Sequence, residues 1–136
     1  MDKDARDYFA EVVRLASRHF VNVRYEIDET PQRVILRLHA NLETLRVIVV
    51  EIVHHGERKY SYYLLDGSYV LVGFDNSADP VARRLKYGTD RARHIGELVP
   101  HAHFRDKRDL VLTEHLTFAD FVQWIQDHDL KTLRGS

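Results

Sequence analysis

The chain predicts an α+β fold: an antiparallel β-meander of about five strands, with an N-terminal and a C-terminal helix packed on one face. Three observations carry this. Four runs alternate apolar and polar residues with period two. One segment near each end is striped or capped as an amphipathic helix. The connections between the runs are short, which makes sequence neighbours into sheet neighbours. A length of 136 residues with 44% hydrophobic content gives one core and a single domain, 1–136.

Taken in order, Ala5, Phe9, Val12, Val13, Ala16 and Phe20 recur at steps of three and four, predicting a helix over Asp4–His19. Val21, Val23, Tyr25 and Ile27 alternate with Asn22, Arg24, Glu26 and Asp28, a strand with one dry and one wet face. After a turn at Asp28-Glu29-Thr30-Pro31, Val34, Leu36, Leu38 and Ala40 repeat the pattern. Leu45–Val53 is apolar at consecutive positions, so it is expected to be the central strand, buried from both sides. His54-His55-Gly56-Glu57 then turns the chain into a hairpin, Lys59–Phe74, closed at Asp66-Gly67-Ser68. Asp79-Pro80 followed by Val81–Gly88 carries a cap, a proline at the first helical position and a terminal glycine, predicting about two helical turns. His101-Ala102-His103 is expected to be extended, and Leu110-Val111-Leu112 a last short strand. Thr117-Phe118-Ala119-Asp120 is a capping box, with Leu116 and Phe121 placed as a hydrophobic staple. The helix it opens should bury Phe118, Phe121, Val122 and Ile125, leaving Arg134-Gly135-Ser136 as a frayed end.

Composition excludes several classes of function. Without cysteine there is no disulfide framework, thiol nucleophile or cysteine zinc site. No run reaches membrane-spanning length, and Met1-Asp2-Lys3-Asp4 is not a signal peptide, so a cytoplasmic protein is expected. Glycine-rich phosphate loops, nucleophile elbows and His-Glu-x-x-His helices are missing from the sequence, and no cofactor is expected. The net charge of −1 hides an uneven distribution. Between Arg83 and Arg108, eight basic residues (Arg83, Arg84, Lys86, Arg91, Arg93, Arg105, Lys107, Arg108) face three acids (Asp90, Glu97, Asp106), the balance a phosphate-binding face needs.

His101 and His103, two apart in an extended segment, project to one side. That suits general acid–base chemistry, or metal ligation with Asp75 as a third ligand and His94 nearby. The acid–base reading is preferred because clustered histidines commonly bond one another or the backbone, and no metal is assigned. His19, His39, His54, His55, His115 and His128 need no function. On the hairpin, Tyr60 and Tyr62 share a face and Tyr63 takes the other, a platform on which bases could stack.

The succession Tyr60-Ser61-Tyr62, hairpin, Gly73-Phe74-Asp75-Asn76, basic segment, His101-Ala102-His103 and C-terminal helix resembles the TumE family of prokaryotic toxins from toxin–antitoxin modules. Asp75, Asn76, His101 and His103 carry the likeness, which covers roughly Lys59–Ile125; the segment Pro80–Pro100 is longer than in compact members. The resemblance implies a cytoplasmic toxin, a helix-turn-helix-type antitoxin as partner, action on RNA and no membrane. In a metal-independent ribonuclease, His101 and His103 would be base and acid beside Asp75. Arg93 or Lys107 would stabilise the pentacoordinate phosphate and Tyr62 would stack a base, with Asn76, Arg83, Arg84 and His94 contacting RNA. The alternative is a non-catalytic RNA- or protein-binding module using the same basic face.

Overall fold

The computed structural model describes residues 3–135, with side chains through Leu133. Met1 and Asp2 of the N-terminal stretch, and Ser136 of the expected frayed end, lie outside the described residues. Helix α1 spans Lys3–His19 and buries Ala5, Phe9, Val12 and Ala16, the striped positions. Strands β1 (Val21–Glu29), β2 (Arg33–Leu42), β3 (Leu45–His54), β4 (Glu57–Asp66) and β5 (Tyr69–Asp75) follow. Helix α2 (Pro80–Tyr87) and a 3₁₀ helix (Gly88–His94) interrupt the meander, which resumes as β6 (His101–Phe104) and β7 (Asp109–Leu112). Helices α3 (Phe118–Asp127) and α4 (Leu130–Gly135) complete the described chain. Among the described residues no helix is long and apolar enough to cross a membrane.

All seven strands form one antiparallel sheet in sequence order. The α+β class and the helices on one face are as expected, but the strand count is seven rather than five. β1 to β5 are long enough to display period two, whereas β6 and β7 have four residues each, too few to establish a pattern. A helical turn at Leu130–Gly135 likewise replaces most of the expected frayed end.

Register explains the core. Leu38, Val49, Tyr62, Phe74 and Ala102 are successive cross-strand partners on one face, and all are buried. They join Phe9, Val12 and Ala16 of α1 and Phe118, Phe121, Val122 and Ile125 of α3 in a single hydrophobic cluster. The capping box expected at Thr117 is formed: its hydroxyl accepts from Asp120 N–H, and the Asp120 carboxylate accepts from Thr117 N–H. Asp79 caps α2 by accepting from Val81 and Ala82 N–H, with Pro80 opening the helix as its sequence predicts.

Two expectations about burial are corrected. β3 is interior, between β2 and β4, but not dry on both faces: Leu45, Val47, Val49 and Glu51 are buried, while Ile48, Val50 and Ile52 are only half-buried. The long helices cover one face alone, while on the other the segment from Asp79 to Val99 lies beside His101. β1 keeps little of its dry face, since Val21, Tyr25 and Ile27 are exposed. It is an edge strand, and Val23 is the part of its expected dry face that packs against the core.

Candidate functional site

The sheet face opposite α1 and α3 carries the candidate cluster, assembled by register. Pairing of β4, β5 and β6 sets Ser61 opposite Asp75 and Asp75 opposite His101. One step along, Tyr63 faces Gly73 and Gly73 faces His103. Alternation points all of these side chains the same way. One ligand atom each from Asp75, His101 and His103 lies within 4.8 Å of the others. The two imidazoles meet edge to face with ring centroids 4.8 Å apart.

Each member is held from outside the cluster. His101 is wholly buried, and its Nδ1 lies 2.6 Å from the Val99 carbonyl oxygen. A carbonyl only accepts, so Nδ1 carries the hydrogen and Nε2 is left as a lone pair whenever the ring is neutral. Asp75 accepts from Ser77 N–H at 2.6 Å and from the Tyr63 hydroxyl at 3.4 Å. His101 Nε2 and His103 Nδ1 are both buried without a hydrogen-bond partner. Burial first, then the neighbouring His101, pushes the His103 pKa down against the opposing charge of Asp75. Burial and the charge of Asp75 push the Tyr63 hydroxyl up, keeping it a donor. Burial would raise Asp79 too, but helix N–H groups and the two histidines outweigh it and hold this carboxyl below its usual range.

Tyr63 walls one side of the cluster. Its ring lies over Gly73 and is stacked at 17° with the His103 ring, 6.5 Å between centroids. Lys107 Nζ sits 5.0 Å from the same Tyr63 ring centroid. Lys107 reaches that position from the β6–β7 turn, where Arg105, Asp106 and Lys107 have φ values of 50°, 58° and 69°. Three successive left-handed residues without glycine are costly, and the fold must over-determine them. It does so through Asp106, whose N–H donates to Val70 O at 2.8 Å while its carboxylate accepts from Val70 N–H at 3.0 Å.

The remaining expected site residues are not members of this donor cluster. Tyr62 is 0% exposed, stacked on Phe121 within the core, and has no face open to a base. Asn76 is buried, accepting from Tyr60 N–H and donating to Arg58 O, so both ends of its amide are engaged within the fold. Arg93 is an exposed partner of Asp90 on the 3₁₀ helix. His94 stacks on Tyr87 at 3.5 Å and bonds Glu97, a satisfied surface cluster. Arg84 is exposed on α2, and Arg83 is half-buried with its Nε enclosed and unpartnered. The structure therefore brings together Asp75, His101 and His103, with Lys107 beside the Tyr63 wall.

A second polar cluster escaped the sequence reading. Glu51, fully buried under the helices, accepts from the Tyr8 hydroxyl at 2.8 Å and from Arg58 Nη1 at 2.6 Å. Arg58 also donates to the Tyr62 hydroxyl and to Leu116 O, and its guanidinium lies 4.7 Å from the Tyr60 ring centroid. Burial pushes the Glu51 carboxyl up despite Arg58, and burial and Glu51 push Tyr8 up to about 12. These bonds tie α1, β3, β4 and the approach to α3. Its signal was available: Glu51 shares the inward parity of Leu45, Val47 and Val49, a charge on a dry face. Compared with protein-family models, curated proteins and solved structures, the chain matches none.

Proposed function

We propose that this protein is the toxin of a prokaryotic toxin–antitoxin module and cleaves RNA at the site formed by Asp75, His101 and His103. The observation that supports this reading is the convergence, on one sheet face, of a carboxylate and two imidazole nitrogens that have no partner. Unpartnered buried nitrogens are costly, and such groups gather where a substrate or ligand completes them. Lys107 stands next to this site and takes the expected role of stabilising charge on a phosphate in transit. Arg93 does not share that role, being engaged with Asp90.

Of the two imidazoles, His101 has its tautomer set from outside the site, since Nδ1 donates to Val99 O. The Val99 carbonyl thus directs His101 Nε2, rather than Nδ1, at any occupant of the site. The basic residues of Arg83–Arg108 would guide RNA by charge and receive the antitoxin when the toxin is silent.

Incubation of the purified protein with total RNA tests the reading. Cleavage by the wild type that is lost in Asp75→Asn and in His103→Ala, with the fold retained, supports it. RNA binding without cleavage in the wild type would replace it with a non-catalytic binding module.

A further inference from the structure

We propose that Asp75, His101 and His103 bind one first-row transition-metal dication, of the Zn²⁺ or Mn²⁺ kind. The inference deepens the reading of this site as a centre for RNA cleavage, and cation binding is measured separately from cleavage so that either can fail alone. Two imidazole nitrogens and one carboxylate are the donor set that borderline first-row ions prefer, whereas Mg²⁺ and Ca²⁺ favour oxygen donors.

Three features of the cluster fit a cation better than a proton shuttle. First, His101 is 0% exposed, yet its Nε2 has no partner among the described residues. Second, the outer contacts are those that orient metal ligands. Val99 O fixes the His101 tautomer with Nε2 free, while Ser77 N–H and the Tyr63 hydroxyl hold the Asp75 carboxylate. Third, the donors lie within 4.8 Å of one another. A dication about 2.1 Å from each ligand spans at most about 4.2 Å between donors, so a slight closure completes the site. His103, the only one of the two imidazoles with any exposure, at 8%, can supply that closure by rotating.

Three protein ligands leave coordination positions for water or a phosphate oxygen. Such an ion would hold a phosphodiester oxygen where the neutral imidazoles alone offer it only further lone pairs. Lys107, beside Tyr63, would add a second positive charge at the same rim.

The test uses the full chain, stripped with chelator, dialysed and titrated calorimetrically with ZnCl₂ and with MnCl₂. Because His54 and His55 lie in contact in an exposed turn, 4.1 Å between ring centroids, every protein in the series carries His54→Asn and His55→Asn. One equivalent of at least one ion should bind, at least 100-fold more weakly in His103→Ala and at least 10-fold more weakly in Asp75→Asn, with no saturable Mg²⁺ binding in the same range. His101→Ala removes a buried ring, so Co²⁺ absorption of the otherwise unaltered background protein replaces it as a second readout, and bands typical of nitrogen and oxygen donors are expected. Binding of equal strength in His103→Ala and its parent, or no stoichiometric binding, overturns the proposal. Stoichiometric binding without RNA cleavage keeps the cation site and ends the ribonuclease reading. Cleavage in chelator by a protein that binds neither ion does the reverse.

Discussion

The ring of Tyr63 lies so close over Gly73 that a Cβ built there would stand 2.2 Å from Tyr63 Cε1. Gly73 is thus the floor on which Tyr63 rests, and Tyr63 in turn flanks His103 and bonds Asp75. An aromatic ring over a cross-strand glycine is a recognised way to pin register.

Gly73→Ala should therefore displace the ring and cost about 1–3 kcal/mol in urea unfolding, as overpacking does. Tyr63→Ala removes the obstacle, so the double variant should be less destabilised than the sum by about 0.5 kcal/mol or more. Strict additivity would show that the contact does not constrain the site.

Glu51→Ala leaves the Arg58 guanidinium without its carboxylate and should cost about 3–5 kcal/mol. The pH dependence has a definite sign. Burial raises the Glu51 pKa in the folded state, so the native protein holds its proton more tightly than the unfolded chain. The stability this confers is complete below the ordinary glutamate pKa and is lost as pH rises through the raised value. Glu51→Gln, which mimics the protonated form, should gain stability relative to wild type as pH climbs from 4 to 8. A relative loss over that range would mean that the ion pair dominates.

Asn76→Ala should remove both bridges, to Tyr60 N–H and to Arg58 O, and cost about 2 kcal/mol of stability. RNA affinity of the folded fraction should be unchanged. A selective loss of affinity at full stability would return Asn76 to the binding surface.

Lys107→Ala should lower RNA cleavage about 100-fold, the scale of losing one charge-stabilising donor, with little change in melting temperature because the side chain is exposed. Asp106→Ala, which releases the turn from Val70, should lower cleavage in the same direction through the position of Lys107. Wild-type rates in Lys107→Ala would remove it from the reaction.

The sheet was legible wherever strands were long. β1 to β5 run for seven to ten residues and show as alternating or continuously apolar runs; Leu110–Leu112 was expected as a short strand and lies in β7, whereas the pairing of β6 with β5 and β7 was not evident. Two members of the site, His101 and His103, were legible from a spacing of two, and Asp75 from its place at a strand end. Their grouping was expected, but the geometry that achieves it was not, because it depends on β6 returning beside β5 across 25 residues of connection. Alternation separated Tyr62 from Tyr63 without revealing which face the helices cover, and that choice buried Tyr62 and left Tyr63 at the site. Arg93 and His94 were grouped with the site by their place in the basic segment, and the structure gives them local partners, Asp90 for Arg93 and Tyr87 and Glu97 for His94.

The most direct test of the central claim is the rate of RNA cleavage by wild type and by His103→Ala at neutral pH, with circular dichroism to verify that both are folded. The account predicts cleavage by the wild type and a fall of about 1,000-fold or more to background in the variant, since the side chain that faces the substrate is gone. Cleavage at the wild-type rate by folded His103→Ala would contradict it.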